Sequence, residues 1–203
     1  VRWTGLVQVF LMLSALHNWV RRVPVWSVYL VLAIPAVYFF YLALTGALSI
    51  EPIKALEHKL GEFGLQLLIF GLFITPLRRY LSLNLLRFRR VIGVMTYYYI
   101  TLHLLVWLIL DVQVPSAILQ DIVKRPYITI GMLAFVGMTP LAFTSNSYAV
   151  RKLGQSWRKL HRLVYVIAVL GAVHFIMLVK GLQFEPIIYL GVILTLLALR
   201  LKS

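Results

Sequence analysis

The chain has 203 residues, of which 62% are hydrophobic and 13% are charged, and its formal net charge is +14. Its mean hydropathy of +0.91 is far too apolar for a soluble domain of this length, so the composition indicates an integral membrane protein. Cysteine is absent, which excludes disulfides, thiolate metal sites, iron–sulfur ligands and covalent CxxCH haem attachment. Any metal must therefore be held by histidine, by carboxylate or within a cofactor.

The first 22 residues are predicted to form an N-terminal extension that is interfacial or disordered. Their apolar stretch, LVQVFLMLSAL, is too short to cross a bilayer. It is followed by two arginines and fits a signal peptide with a small-residue cleavage site poorly. We expect residues 23–203 to form one membrane domain.

Six apolar runs follow, each close to the length of about 20 residues that crosses a hydrocarbon core of about 30 Å. Continuous apolar runs favour helices over the alternating pattern of a membrane barrel. The sequence therefore predicts an all-α integral membrane protein, a bundle of six transmembrane helices. The last run is the weakest because Glu185 and Pro186 interrupt it. The predicted spans are residues 25–46, 60–77, 91–110, 127–145, 163–179 and 181–199.

Charged residues are divided unequally between the two sides of this predicted bundle. One side holds 15 of the 20 lysines and arginines and none of the six acidic residues, and the other side holds the rest. The positive-inside rule places the first side, with both termini, in the cytoplasm. The net charge then reflects topology and attraction to anionic membrane lipid. A nucleic-acid partner is not expected, because a binding stripe would not be divided among four membrane-flanking segments.

Two histidines are expected to lie at one depth inside the bundle. His103 is in the third predicted span and His174 in the fifth; at about 1.5 Å per residue they stand about 19 Å above Arg90 and about 18 Å above Arg162. Ionisable side chains at such depth normally face the protein interior and mark function. A single buried histidine can simply hydrogen-bond a neighbouring helix, but two at one level meet the requirement of a six-coordinate haem b. We therefore predict that His103 and His174 are axial ligands of haem iron; zinc is disfavoured because two histidines cannot fill a four-ligand site.

Two further residues are candidates for the cofactor site. Gly171 lies one turn below His174 on the same helix face and is expected to leave room for the edge of a porphyrin. Arg125, at the outer start of the fourth span, is expected to pair with a haem propionate, with lipid phosphate as the alternative partner.

His161 lies thirteen residues before His174, which places the two rings about 140° apart around a regular helix. A second stacked histidine pair is therefore not expected. His161 is a candidate ligand of a haem with a weak or non-histidine partner, a candidate contact for a flavin or quinone, or a residue among the lipid headgroups with Arg158 and Arg162.

Several segments, in unbroken order, resemble the YedZ/MsrQ family of haem-binding membrane subunits, within the ferric-reductase-like transmembrane superfamily. These are ITPLRRY, RFRRVIG, LHLLVWLILD, KRPYITIG, LAFTSNSYAVRKLGQSWRKLHRLVY and HFIMLVKG. The resemblance covers about residues 23–202 and implies that residues 23–203 are a ferric-reductase-like transmembrane haem domain. The family's histidines fall on His103, His161 and His174. Tyr29 stands about where some relatives carry a first-helix histidine, which weighs against a haem ligand from that helix.

The resemblance also implies a function. It implies a b-type haem, association with FMN, and a multi-pass protein of the bacterial inner (plasma) membrane. Electrons would pass from the quinone pool or a cytosolic flavin reductase to MsrP, a periplasmic molybdopterin enzyme that repairs methionine sulfoxide. The chain would then be an electron-transfer subunit rather than the catalytic one. A non-redox membrane transporter or an assembly factor is the alternative, and a Soret band that shifts on reduction would separate the redox function from both.

Overall fold

The computed structural model describes residue 20 and residues 22–179, 181 and 183–201, and this part of the chain forms helices joined by turns, with no strand. The expectation for residues 1–22 lies largely outside it. A 3-10 turn, Leu86–Phe88, precedes the helix Arg89–Val106, and a π-helical turn, Trp107–Val112, continues it. The helices are α1 Val25–Leu44, α2 Pro52–Leu81, α3 Arg89–Val106, α4 Pro115–Lys124, α5 Pro126–Phe143, α6 Ser147–Leu153, α7 Gln155–His161, α8 Leu163–Leu178 and α9 Phe184–Leu201.

Within the described residues, five helical segments are long and apolar enough to cross a membrane. They are Val25–Leu44, Pro52–Leu81, Leu86–Val112, Pro126–Phe143 and Gln155–Leu178, and they overlap the first five predicted spans. The protein is therefore a multi-pass bundle of membrane helices. Helix α9 occupies the place of the sixth predicted span and packs against α8 and α2. Six spans and cytoplasmic termini stay predictions.

Some segments read from the sequence as loops are in fact helical. Helix α2 begins at Pro52 rather than at residue 60, α4 lies within the predicted loop 111–126, and α6 and α7 lie within residues 146–162. Hydropathy measures contact with lipid rather than helicity, so it misses helical turns that extend beyond the hydrocarbon. Proline at the first helical position, as at Pro52 and Pro115, is favourable because its fixed φ suits a helix start.

Helix α2 is the central element of the bundle. Part of its buried surface, including Leu60 and Ile74, packs with α1 and α3. Another part, including Leu65 and Leu72, packs with α5, α8 and α9. The two groups of helices therefore meet on α2, and the space between α3 and α8 is bounded by both.

The hydroxyl of Tyr99 joins α3 to α1. It donates to the carbonyl of Leu32 at 2.6 Å and accepts from the amide of Ala36 at 3.0 Å. In a regular helix these two backbone groups would bond to each other. The inserted hydroxyl lies beside Pro35, which has no amide hydrogen to donate. The fully buried Tyr99 therefore satisfies the backbone where the proline disturbs α1.

We predict that Tyr99→Phe lowers thermal stability, because it leaves a buried amide and carbonyl without their partner. Each such group costs about 1–3 kcal/mol. The measurement is the Tm of the purified protein in detergent. Tyr98→Phe is the matched control, since Tyr98 is exposed at the preceding position of the same helix. Equal Tm values for the two variants would contradict the prediction.

Candidate functional site

His103 is held on α3 by a backbone group of α2. Its Nδ1 lies 2.8 Å from the carbonyl oxygen of Glu57. A carbonyl can only accept a hydrogen bond, so Nδ1 carries the proton and donates it. The neutral ring then has its lone pair on Nε2, which is the nitrogen available to a metal.

His174 on α8 has the same arrangement with a different helix. Its Nδ1 lies 2.7 Å from the carbonyl oxygen of Tyr127 on α5, so it too must donate. Histidines that bind metals almost always donate their second ring N–H to a carbonyl, carboxylate or water, which fixes the tautomer and the ring orientation. Both histidines therefore show the hydrogen bonding typical of metal ligands.

The two rings lie close together between α3 and α8. Their centroids are 6.2 Å apart and their planes are inclined by 80°. An imidazole nitrogen binds a metal at about 2 Å and the ring centroid lies about 1 Å further, so two axial imidazoles have centroids about 6 Å apart. The rings are close together, as two side chains at one depth would be, and the donor set fits iron held between them; ligation itself stays a prediction.

A cavity of about 520 Å³ surrounds the pair, and we name it the histidine cavity. Its size lies within the range of about 300–1,000 Å³ that is usual for ligand pockets. Gly171 lies in its wall, as expected, and a Cβ there would meet Leu65 at an ordinary 3.6 Å. Among the described residues, α1 contributes nothing to the lining, so Tyr29 is not part of this site.

Arg125 lies at the mouth of the histidine cavity. Its guanidinium forms an ion pair with Asp121 at 3.2 Å and donates to the hydroxyl of Tyr127 at 3.2 Å. The hydrogen bond with Tyr127 raises the pKa of Arg125 further above its usual range. A propionate contact would be added to these partners, and it stays a prediction.

A second cavity, of about 690 Å³, lies towards the opposite ends of the same helices, and we name it the basic cavity. No aspartate or glutamate occurs among the described residues that line it. His161 lies in its wall. The residues shared with the histidine cavity are Leu68, Thr96, Met138 and Ile167, and the arginines of the basic cavity are Arg89, Arg90, Arg151, Arg158 and Arg162.

His161 differs from the other two histidines in which nitrogen is engaged. Its Nε2 lies 2.9 Å from the hydroxyl of Thr144, and that hydroxyl donates its own hydrogen to the carbonyl of Pro140 at 2.6 Å. Nε2 must therefore donate, which leaves the lone pair on Nδ1 in the neutral ring. The ring also stacks on Trp157 at 3.9 Å. Iron ligation through Nε2 would require the bond to Thr144 to break.

Among the described residues, no three histidine, cysteine, aspartate or glutamate side chains form a group suited to a metal ion. A site built from protein ligands alone is therefore not present in this part of the chain. Two opposed imidazoles suit a metal whose remaining ligands come from a cofactor, as in a haem.

Sequence reasoning did not identify the backbone partners of the site. The type of residue does not indicate that the carbonyls of Glu57 and Tyr127 are hydrogen-bond partners. Nor does it indicate the contacts of His161 with Thr144 and Trp157. The tryptophan could have been found from its spacing, because residues 157 and 161 are one helical turn apart.

Comparisons with known proteins show the family of this chain. Residues 60–172 match the family model described as "Ferric reductase like transmembrane component". No solved structure gives a significant match.

Three relatives carry the name "Protein-methionine-sulfoxide reductase heme-binding subunit MsrQ". The one from Brucella anthropi is 46% identical over 178 residues, which is 87% of this chain and 81% of the relative. The one from Agrobacterium fabrum is 40% identical over 192 residues, 94% of this chain and 89% of the relative. The one from Brucella ovis is 45% identical over 177 residues, which is 87% of this chain and 80% of the relative. By this similarity and the family match, the chain belongs to the MsrQ family of ferric-reductase-like transmembrane proteins.

Proposed function

We propose that this protein is a transmembrane electron carrier of the bacterial inner membrane that holds haem b between His103 and His174. Electrons would pass from the quinone pool or a cytosolic flavin reductase to the periplasmic molybdopterin reductase MsrP, in support of methionine sulfoxide repair. The observation that carries the proposal is the pair of neighbouring imidazoles, whose ring centroids are 6.2 Å apart, each with its Nδ1 bonded to a backbone carbonyl. The relatives' printed name, a haem-binding subunit of a methionine sulfoxide reductase, supports it.

When bound, haem supplies a centre that gains and loses one electron. The protein's own residues would hold it rigidly: both Nε2 atoms would bind the iron, and the two carbonyls would keep the rings from turning. With both histidines as ligands, no position would be left open for substrate, which would suit electron transfer rather than catalysis at the iron. Arg125 at the mouth of the cavity would pair with a propionate, and Gly171 would border the porphyrin.

The basic cavity would be where electrons enter. Its arginines suit a phosphate-bearing flavin such as FMN, and its opening between membrane helices suits a quinol. Among the arginines at positions 78, 79, 87, 89 and 90, Arg89 and Arg90 line the cavity. Arg79 instead lies over the ring of Tyr80, and Arg87 lies over the ring of Phe88; each ring belongs to the next residue in the sequence. His161, with Nδ1 as a free acceptor, would contact the donor, or ligate a second haem if its bond to Thr144 breaks.

The opposite face would meet the reductase, because the acidic residues concentrate there. Glu51 is exposed and pairs with Lys54 at 2.8 Å, and this hydrogen bond lowers the pKa of its carboxyl, so it stays ionised. Asp111 is exposed at the end of the π-helical turn. The docking surface would comprise residues 47–59, 111–126 and 180–186, and the first two ranges contain the start of α2 and the whole of α4.

We predict that His103→Ala and His174→Ala each abolish the low-spin haem spectrum, because one axial ligand is lost in each. The measurement is the visible spectrum of the purified protein before and after reduction by dithionite. A wild-type protein without a Soret band, or either variant with an intact low-spin spectrum, would contradict the proposal and favour a transporter or an assembly factor.

We predict that His161→Ala keeps this spectrum but slows haem reduction by quinol or reduced flavin. The expected loss is about fivefold or more, since a hydrogen bond to the donor is worth about 1 kcal/mol. Stopped-flow reduction of the purified protein measures it. Thr144→Val, which removes only the hydroxyl partner, should act in the same direction. Loss of the spectrum in His161→Ala would instead show that His161 ligates the haem.

We predict that reversing three acidic residues together, Glu51→Lys, Asp111→Lys and Asp121→Lys, slows electron transfer to the periplasmic reductase. Complementary charge mainly sets the encounter rate, and the expected loss is about 10-fold or more at low salt. Glu57 is left unchanged because its carbonyl holds His103. The matched amide variants should show a smaller loss, and added salt should narrow the difference. A transfer rate unaffected by the reversal would rule out this docking face.

A further inference from the structure

Two glycines lie directly against the two histidine rings. A Cβ at Gly131 would stand 2.8 Å from Nδ1 and 2.9 Å from Cε1 of His174. A Cβ at Gly61 would stand 3.0 Å from Nδ1 and 3.2 Å from Cε1 of His103. Non-bonded carbon atoms attract best at about 3.5–4.0 Å, so any side chain at either glycine would overlap the ring as it now stands.

Each glycine has the same register to the carbonyl that its histidine uses. Gly61 is four residues after Glu57 on α2, and Gly131 is four residues after Tyr127 on α5. In a helix, residues four apart lie one above the other on one face. An imidazole that approaches a helix carbonyl from the side must therefore pass over the residue four positions later. Two different helices meet this requirement in the same way, with glycine.

The other helical glycines that the structure describes do not have this relation. A Cβ at Gly171, Gly137 or Gly71 would make ordinary contacts at 3.4–3.6 Å with aliphatic side chains, and a Cβ at Gly191 would meet nothing within 4 Å. Gly64 lies against the end of the flexible Ile100 side chain. Contact with an imidazole is confined to Gly61 and Gly131 within this set.

We propose that Gly61 and Gly131 are positioning residues of the histidine pair: the missing side chain lets each imidazole reach the carbonyl four residues earlier. That bond fixes the rotation of the ring and directs Nε2 into the space between the helices. The inference rests on the proposed function, in which the pair holds haem iron. An alanine at either glycine would place a methyl group against the ring on the side away from the iron. The imidazole could then not keep both its bond to iron and its hydrogen bond to the backbone carbonyl.

The test compares Gly131→Ala, Gly61→Ala and the control Gly191→Ala in the full-length, haem-loaded protein. Residues that orient metal ligands typically contribute 10–100-fold to affinity, so Gly131→Ala should lose haem to a competing apoprotein about 10-fold or more faster.

A displaced ring should also let the reduced haem bind carbon monoxide, which a six-coordinate haem excludes. The haem that remains should have a higher midpoint potential, because an imidazole without its Nδ1 bond donates less to ferric iron. Gly61→Ala should change less, since its predicted overlap is smaller.

The double variant Gly131→Ala/His174→Ala separates positioning from ordinary helix packing. If the clash is with the ring, adding Gly131→Ala to His174→Ala should cause no further loss of protein yield or Tm. A further loss would show that the glycine serves packing between α5 and α8 and would overturn the inference. Carbon monoxide binding, haem release and potential equal to those of Gly191→Ala would overturn it too, while leaving the proposed function intact. Absence of haem from the wild-type protein would instead remove the proposed function, and the inference with it.

Discussion

The absence of water from the membrane interior is the constraint on which this structure depends. Each polar group there must find its partner within the protein, because an unsatisfied one costs several kcal/mol. The hydroxyls of Thr96 and Thr101 donate to carbonyls four residues earlier in their own helix, and Tyr99 bridges two groups of α1. The imidazoles of His103 and His174 obey the same rule through Nδ1. Each ring is thereby left with one nitrogen, Nε2, that only an added group can satisfy.

Counting residues was sufficient to predict the level of the histidine pair. The rise per residue in a helix is nearly constant, and both helices leave a basic rim that fixes their origin. The partner carbonyls could not be predicted in this way, because they come from residues 46 and 47 positions away in the chain and each residue type has a carbonyl. Within the motif KRPYITIG, Gly131 was visible in the sequence, but its contact with His174 required the packing of α5 on α8.

The position of His161 shows where the same reasoning was insufficient. The angle of about 140° assumed one regular helix from His161 to His174, and the chain is indeed one helical segment here, Gln155–Leu178, with bonds three residues apart on either side of Arg162. The two histidines do line different cavities. His161 is positioned by its hydrogen bond to Thr144 and by stacking on Trp157. A calculation of the angle around the helix includes neither contact.

The two cavities share four lining residues. This shared layer would pass electrons more readily than protons. Three of its four residues, Leu68, Met138 and Ile167, are apolar, and the hydroxyl of Thr96 already donates to the carbonyl of Ile92 at 2.9 Å. A proton needs a continuous chain of donors and acceptors to cross such a layer, whereas an electron needs only short distance. In the proposed function, a quinol or reduced flavin in the basic cavity would therefore give up its protons on that side, and only its electrons would reach the histidine cavity. Transfer through this protein would then move negative charge outward across the layer without an accompanying proton.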